Sequence, residues 1–388
     1  GETLMVFSLT EEEREVVDLV RQVADEKLAP SMVEIDEAGK FSWENFHLMG
    51  ELGILGSIFP EEYGGNSLSF LAYAMSLEQI SRGDFNTGLT VSVQTMSGSS
   101  ILKFGTDEQK KKYLPKVTSG EFLLAFALSE PDYGSDAAGL KCHAQKVDEG
   151  YVLNGNKAWI TNAEEAHLVV LFATIDPALG KRGITTFLIE KDTKGFVVDK
   201  HEAKMGGEGT STCGLTLNDC FVPSENLLGE EGRGLRVALN ALSGGRIGIA
   251  ANATGVSQRA LDEAIAYAKN RIQFGVPISE FQGIQWKLAD MDTGIQAGRL
   301  LYQRAALLKD RARNDFKKDP IKEASQAKYF ATDNGLSVCS EAIQILGAYG
   351  YSREYPVERL MRYIKVTQIF EGTNEIQKNL VARELIKD

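Results

Sequence analysis

The chain has 388 residues, enough for two or three domains with buried cores. Its 43% hydrophobic and 25% charged residues are the balance of a globular protein, not of a disordered or fibrous one. A formal charge of −12 argues against nucleic acid or an anionic membrane as the main partner, but leaves room for a local basic pocket.

The cysteines (Cys142, Cys213, Cys220, Cys339) lack paired metal spacing, and the histidines (His47, His143, His167, His201) are equally dispersed. Reduced, buried thiols and no metal site are therefore expected. No apolar run reaches the roughly 18 residues that span a bilayer. Gly1 to Met5 carry no basic region followed by an apolar core, so no secretory signal is expected and the cell interior is the expected location.

In chain order, Thr10 with Glu13 reads as a capping box, followed by Val16, Val20, Val23 and Leu28 at helical spacing, with Pro30 as the expected stop. Residues 60–66 read as a loop, and Thr106 with Gln109 opens a second capped helix. The texture changes near Glu121. Phe122 to Leu128, Tyr151 to Leu153, Leu168 to Ala173, Gly183 to Ile189, Phe196 to Val198 and Cys213 to Leu217 are short apolar or alternating runs split by Gly, Asn and Asp. They point to an antiparallel β domain, a barrel or a sandwich. From about Leu235 the helical period returns, broken at 274–277, 318–320 and 347–356, as in a helix bundle. The expected fold is α+β and multidomain: residues 1–120 helical, 121–234 β, and 235–388 a four-helix bundle.

Four segments carry candidate chemistry. Glu371 follows the apolar pair Ile369-Phe370 and precedes Gly372. A poorly solvated setting would raise its pKa and suit it to abstract a carbon-bound proton, while Gly372 permits a sharp turn and close backbone approach. Ser129 to Asp136 follows the first strand and offers hydroxyls and backbone NH groups at a sheet rim. Trp159 and Thr161 lie two apart on a strand, hence on one face, where an indole can pack on a flat ring and a hydroxyl can bond its edge. Arg271, at a helix end, can pair with a pyrophosphate. Singly, each also reads as ordinary structure: a solvated acid, a turn, a core tryptophan, a solvated arginine. There is no Gly-x-Gly-x-x-Gly after a strand, no Walker loop and no recognisable Ser-His-Asp set.

Placed together, these segments resemble the acyl-CoA dehydrogenase family. The matching stretches are Leu128 to Pro131 with Gly134 to Asp136, Trp159 to Asn162, Arg271 with Phe274-Gly275, Gln344 to Gly347 with Gly350, and Glu371 to Thr373. The resemblance runs from about Phe7 to the C-terminus. It implies FAD between the β domain and the bundle, in a homotetramer, with Glu371 taking the α-proton of an acyl thioester while the β-hydrogen leaves as hydride to the flavin.

By the same resemblance, Ser129 and Thr161 bond the flavin and Trp159 packs on it. Arg271, Phe274 and Gln344 hold the phosphate and adenosine side across a subunit boundary, with Thr373 nearby. Leu128 and Gly347 complete the cofactor's contacts. Ser135 and Arg246 contact coenzyme A, Gln94 and Gly372 contact the substrate, and the Glu371 amide binds the thioester oxygen. Electrons pass to an electron-transferring flavoprotein, in a bacterial cytoplasm or a mitochondrial matrix.

Isovaleryl and long-chain relatives draw their base from the position of Gly245, which glycine cannot supply. The stretch Gly244 to Ala250 is most similar to short-chain, butyryl-type members. No arginine lies between Asn86 and Ile101 to hold a dicarboxylyl chain. Tyr133, Ser243, Ala348, Tyr363 and Phe370 depart from the family pattern and leave room for a branched or cyclic acyl chain, such as cyclohexane-carbonyl. The alternative from another class is a silent flavin-binding or scaffold protein, which would have no use for Glu371.

Overall fold

The structure, a computed structural model, describes residues 8–312 and 315–387; the N-terminal stretch considered above for a secretory signal lies outside them. Thr10 opens helix α1 (Glu11–Val23) with the expected reciprocal cap, its hydroxyl accepting from the Glu13 amide and the Glu13 carboxylate accepting from the Thr10 amide. Pro30 does not stop the helical path. A π-helical turn over Ala24–Leu28 leads into α2 (Ala29–Ala38), which ends at Gly39 with φ 58°. The wider turn makes room for the proline ring, which clashes with the preceding turn only where α-helical geometry is kept.

Three more helices, α3 (Trp43–Glu51), α4 (Phe70–Gly83) and α5 (Phe85–Phe104), precede α6 (Asp107–Ser119), which carries the expected Thr106/Gln109 capping box. The buried Asp84 ends α4 and caps α5, accepting from the Asn86 and Thr87 amides.

Eight strands follow: β1 (Leu124–Ala127), β2 (His143–Val147), β3 (Gly150–Thr161), β4 (Leu168–Thr174), β5 (Ile184–Glu190), β6 (Phe196–His201), β7 (Thr212–Pro223) and β8 (Leu227–Leu228). They form one sheet in the order β6-β7-β3-β2-β4-β5-β8, with β1 also on β4. The sheet is mixed, because β1 runs parallel to β4, and it does not close into a barrel. One side of it packs on its own cluster around Tyr151, Leu153, Phe187 and Leu215. The other, through Phe126, Val170 and Phe172, packs on Tyr113 and Val117 of α6 and on Val237 and Ala241. Strand β2 escaped the sequence reading because Ala144 is its only buried residue.

The C-terminal part runs α7 (Gly234–Asn270), a hairpin of β9 (Ile272–Gln273) and β10 (Val276–Pro277), α8 (Gln282–Ala312), α9 (Ile321–Leu346), α10 (Pro356–Thr367) and α11 (Asn374–Leu385). Helices α7 to α10 make the bundle, and α11 lies along α9. N- and C-terminal helices share one core, from Val20 and Leu77 through Ile247 and Val256 to Tyr302 and Tyr363. Buried ion pairs fasten the two. Arg299 of α8 pairs with Glu78 of α4 at 2.6 Å, and Arg359 and Arg362 of α10 each reach Asp36 of α2 at 3.0 Å.

Gln94 corrects one expectation. Its fully buried carboxamide donates to the carbonyls of Val117 (3.1 Å) and Phe122 (2.7 Å) and accepts from the Leu124 amide (2.8 Å). These bonds engage its donors and its acceptor with backbone. Gln94 is a brace between α5, the end of α6 and β1, not a substrate contact. Gln94→Ala would take their partner from the Phe122 carbonyl and the Leu124 amide, at about 1–3 kcal/mol each, while the Val117 carbonyl keeps the Gly120 amide. A loss of several degrees in thermal midpoint is therefore expected by calorimetry, and an unchanged midpoint would contradict the brace.

Candidate active site

Past the end of α10 the chain turns sharply through Glu371 (φ 52°) and Gly372 (φ 89°) before Thr373 caps α11 by accepting from the Ile376 amide. A left-handed non-glycine residue is strained and persists only where its surroundings hold it. Here they do. Gln377 donates to the carbonyls of Glu371 (3.2 Å) and Gly372 (2.8 Å). The fully buried Lys328, on α9, donates to the Gly372 carbonyl (3.0 Å) and to Asn374 Oδ1 (2.9 Å). Asn374 in turn donates to Thr332 Oγ1 (2.8 Å) and Asp333 Oδ1 (2.6 Å). Both carbonyls of the turn are thus held from below, whereas the Glu371 amide donates to no other described residue.

Glu371 is half-buried, and one oxygen of its carboxylate lies in a dry setting. Oε2 is buried and has no hydrogen-bond partner. Burial pushes its pKa up to about 7, against the opposing charges of Lys328 and Arg246. The dryness does not come from Ile369, which is 54% exposed. It comes from α7 and α5: a Cβ at Gly245 would collide with Glu371 Oε2 and stand 2.9 Å from Met96 Sδ. Position 245 and the Glu371 carboxylate therefore address the same point in space. Buried Tyr73 of α4 also feels the Glu371 charge, and burial raises its hydroxyl pKa.

A second group forms at the sheet rim. The β3–β7 register shifts between Lys157 and Ile160, and Trp159 sits on this bulge with φ 61° and 62% of its surface exposed. It is no core tryptophan. Thr161 is half-buried on the same side of β3, and Ile160 between them is buried. Ser129 is brought alongside by the Ala158 amide, which donates to its carbonyl at 3.0 Å. Below the rim, buried Lys157 donates to Glu130 (2.8 Å) and to the Leu128 carbonyl (3.2 Å), while Glu130 also accepts from the Lys141 and Cys142 amides. Leu128 itself is buried, and Ser135 is exposed on the loop beyond.

The hairpin after α7 and the end of α9 make a third, exposed group. Arg271 lies 5.6 Å over the ring of Tyr349, Phe274 is 95% exposed at φ 51°, and Gln344 and Gly347 (φ 62°) end α9. Arg246 on α7 is buried between the charges of Glu371 and Asp319, and its Nε has no partner. Ser243, one turn earlier, donates to Asp319 at 3.0 Å, and Lys309 pairs with the same carboxylate at 2.6 Å. An acid thus stands beside position 243, supplied from the α8–α9 connection. The dispersed His and Cys residues meet once among the described residues, where ligand atoms of Glu164, His201 and Cys213 lie within 4.8 Å of one another. Glu164 and His201 already pair there at 2.7 Å.

Lys328, Gln377 and Asn374 escaped the sequence reading. The signal was present for Lys328: it shares the buried helical stripe of Ala324, Ala327, Ala331 and Thr332, where a cation has no ordinary place.

Three family models match in order: acyl-CoA dehydrogenase N-terminal domain (residues 10–121), middle domain (125–220) and C-terminal domain (232–386). The pig mitochondrial short-chain specific acyl-CoA dehydrogenase is 45% identical over 95% of this chain and 88% of its own. The chain belongs to the acyl-CoA dehydrogenase family. The solved butyryl-CoA dehydrogenase of Megasphaera elsdenii superposes with a TM-score of 0.95 at 41% identity, covering 99% of this chain and 100% of that one. A chain solved in work on the electron-transferring flavoprotein of Acidaminococcus fermentans and flavin-based electron bifurcation gives 0.96 at 43% identity, with the same coverage.

In this family member the buried acid carries a stability cost. Its folded pKa, about 7, lies above the ordinary 4.5. Between those values the folded state binds more protons than the unfolded one, so the cost grows as pH rises and is complete above pH 7. Glu371→Gln removes it. The stability gain of that variant over the wild type should be small at pH 5 and reach on the order of 2–3 kcal/mol at pH 8. Denaturant unfolding at the two pH values checks this; an equal difference at both would contradict the burial of the charge.

Proposed function

We propose that this chain is an FAD-dependent dehydrogenase of short-chain acyl-CoA thioesters, yielding the trans-2-enoyl-CoA and passing electrons to an electron-transferring flavoprotein. The observation that carries the proposal is the Glu371 turn. It combines a carboxylate whose buried Oε2 has no hydrogen-bond partner with a free amide on the same residue, while both carbonyls of the turn are tied back.

That pairing suits one reaction. The α-proton of a thioester is only weakly acidic, so its removal needs a base raised toward neutral pH together with a donor on the carbonyl oxygen where charge develops. Glu371 supplies the base, and its own amide supplies the donor. Arg246 contributes positive charge beside the carboxylate. Gly245 leaves the space that any side chain there would fill.

FAD suits the rim: Trp159 offers an exposed indole face on a bulge, and the Ser129 and Thr161 hydroxyls flank it without hydrogen bonds to other described residues. Bound there, FAD supplies the acceptor for the β-hydride. Arg271, Phe274, Gln344 and Gly347 hold its phosphate and adenosine side across a subunit boundary, with Thr373 nearby, in a homotetramer. The exposure of Phe274 and Ile272 on the hairpin supports a partner surface there. Ser135 and Arg246 contact coenzyme A, and Gly372 lies at the thioester.

A short acyl group is supported by the short-chain specific pig relative and by the Megasphaera butyryl-CoA dehydrogenase. The Acidaminococcus structure supports the electron acceptor. Relatives from bacteria and mitochondria support a bacterial cytoplasm or a mitochondrial matrix, and no described helix is long and apolar enough to cross a membrane.

Anaerobic mixing with butyryl-CoA should bleach the bound flavin faster than glutaryl-CoA or octanoyl-CoA does. Glu371→Gln should keep its flavin and lose bleaching by on the order of 100- to 10,000-fold; near-normal bleaching would put the base elsewhere. Arg271→Ala should weaken flavin retention and tetramer assembly together. A variant that stays tetrameric and fully flavinated, by absorbance and sedimentation, would count against the shared cofactor site.

A further inference from the structure

We infer that Lys328 is a positioning residue of the reaction, holding the catalytic turn by its backbone and placing a buried cation under the turn that carries the Glu371 carboxylate. The inference rests on Glu371 as the base.

A fully buried lysine is costly unless something compensates its charge. Among the described residues no carboxylate lies within 4.0 Å of Lys328 Nζ. Its two partners are neutral oxygens, the Gly372 carbonyl at 3.0 Å and Asn374 Oδ1 at 2.9 Å. Both belong to the turn that carries Glu371, so the ammonium is spent on that turn. Burial lowers the Lys328 pKa to about 8, and the charge of Glu371 is the main influence opposing the fall.

The groups that face this pair come from several elements. Around Glu371 stand Lys328 of α9, Arg246 of α7 and Tyr73 of α4. Around Lys328 stand Glu371, Arg246, Asp333 of α9 and Glu375 of α11. Arg246 repels Lys328, and both attract Glu371. Of the two cations, only Lys328 also donates to the catalytic turn.

Gln377 separates the two duties. It shares the Gly372 carbonyl with Lys328 and also ties that of Glu371, but it carries no charge. A purely mechanical role for Lys328 would make its loss resemble the loss of Gln377. An electrostatic role adds a signature that Gln377 lacks: without the cation, the base holds its proton to higher pH.

The experiment is anaerobic flavin reduction by butyryl-CoA between pH 6 and 9.5, with wild type, Lys328→Met, Lys328→Arg, Gln377→Leu and Glu371→Gln, each scored for bound flavin. Lys328→Met should slow reduction at pH 7 on the order of 100-fold and move the apparent pKa of the rate up by about one unit or more, so that rate returns at high pH. Gln377→Leu should slow reduction with its pKa in place. Lys328→Arg keeps the charge and should also keep the pKa, which tests the inference even if Lys328→Met does not accumulate. Equal pKa values in wild type and Lys328→Met, or a shift in Lys328→Arg as large as that expected for Lys328→Met, would overturn the inference. Near-normal reduction by Glu371→Gln would instead overturn the assignment of the base.

Discussion

Everything in this site depends on a backbone turn held against its own preference. Glu371 and Gly372 adopt left-handed conformations, and the turn is kept there by Lys328 and Gln377 reaching its two carbonyls. The bonds orient the turn as well as stabilise it. With the carbonyls drawn toward α9 and α11, the Glu371 amide and carboxylate remain for a ligand. A cation and an amide bury their donors in backbone oxygens so that one acid keeps none of its own.

The helical body exists, in mechanical terms, to hold that turn against α7. Glu371 comes from the last tenth of the chain, Gly245 from the start of the bundle and Met96 from the N-terminal helices. They converge because N- and C-terminal helices share one core and are pinned by the pairs Glu78–Arg299 and Asp36–Arg359. The sheet is a separate packing unit with its own cluster, and it contributes the rim of Ser129, Trp159 and Thr161. The buried Lys157–Glu130 pair supports that rim much as Lys328 supports the turn.

Local chemistry was legible in the sequence wherever it is decided locally. Both capping boxes form as their spacing requires, and the breaks near 274, 319 and 350 separate the helices as expected. Pro30 was misread because a π turn upstream changes what a proline costs, and nothing in its neighbours announces that turn. Strand β2 was missed because its pairing partners, not its own side chains, hold it in the sheet. The candidate site residues stand out by motif, but the residues that support the Glu371 turn do not, since Lys328 lies some forty residues before the loop it serves. Departures from the family pattern behave the same way. Tyr363 replaces an acid, yet its hydroxyl donates to Asp36 of α2 at 2.8 Å, and the acid missing at Ser243 is met by Asp319. These two positions are each met by a residue of another element, which a linear reading does not connect. Ala348 has no structural account.

The central claim, that Glu371 is the group that takes a proton from the acyl α-carbon, is tested most directly by isotope exchange. The flavin-loaded protein would be incubated in D2O with a short 3-thia-acyl-CoA, whose β-sulfur leaves no hydride to transfer, and deuterium at the α-carbon would be followed by NMR. Wild type should introduce deuterium at one α-position, and Glu371→Gln, with its flavin still bound, should not. Exchange by the variant at the wild-type rate would contradict the account.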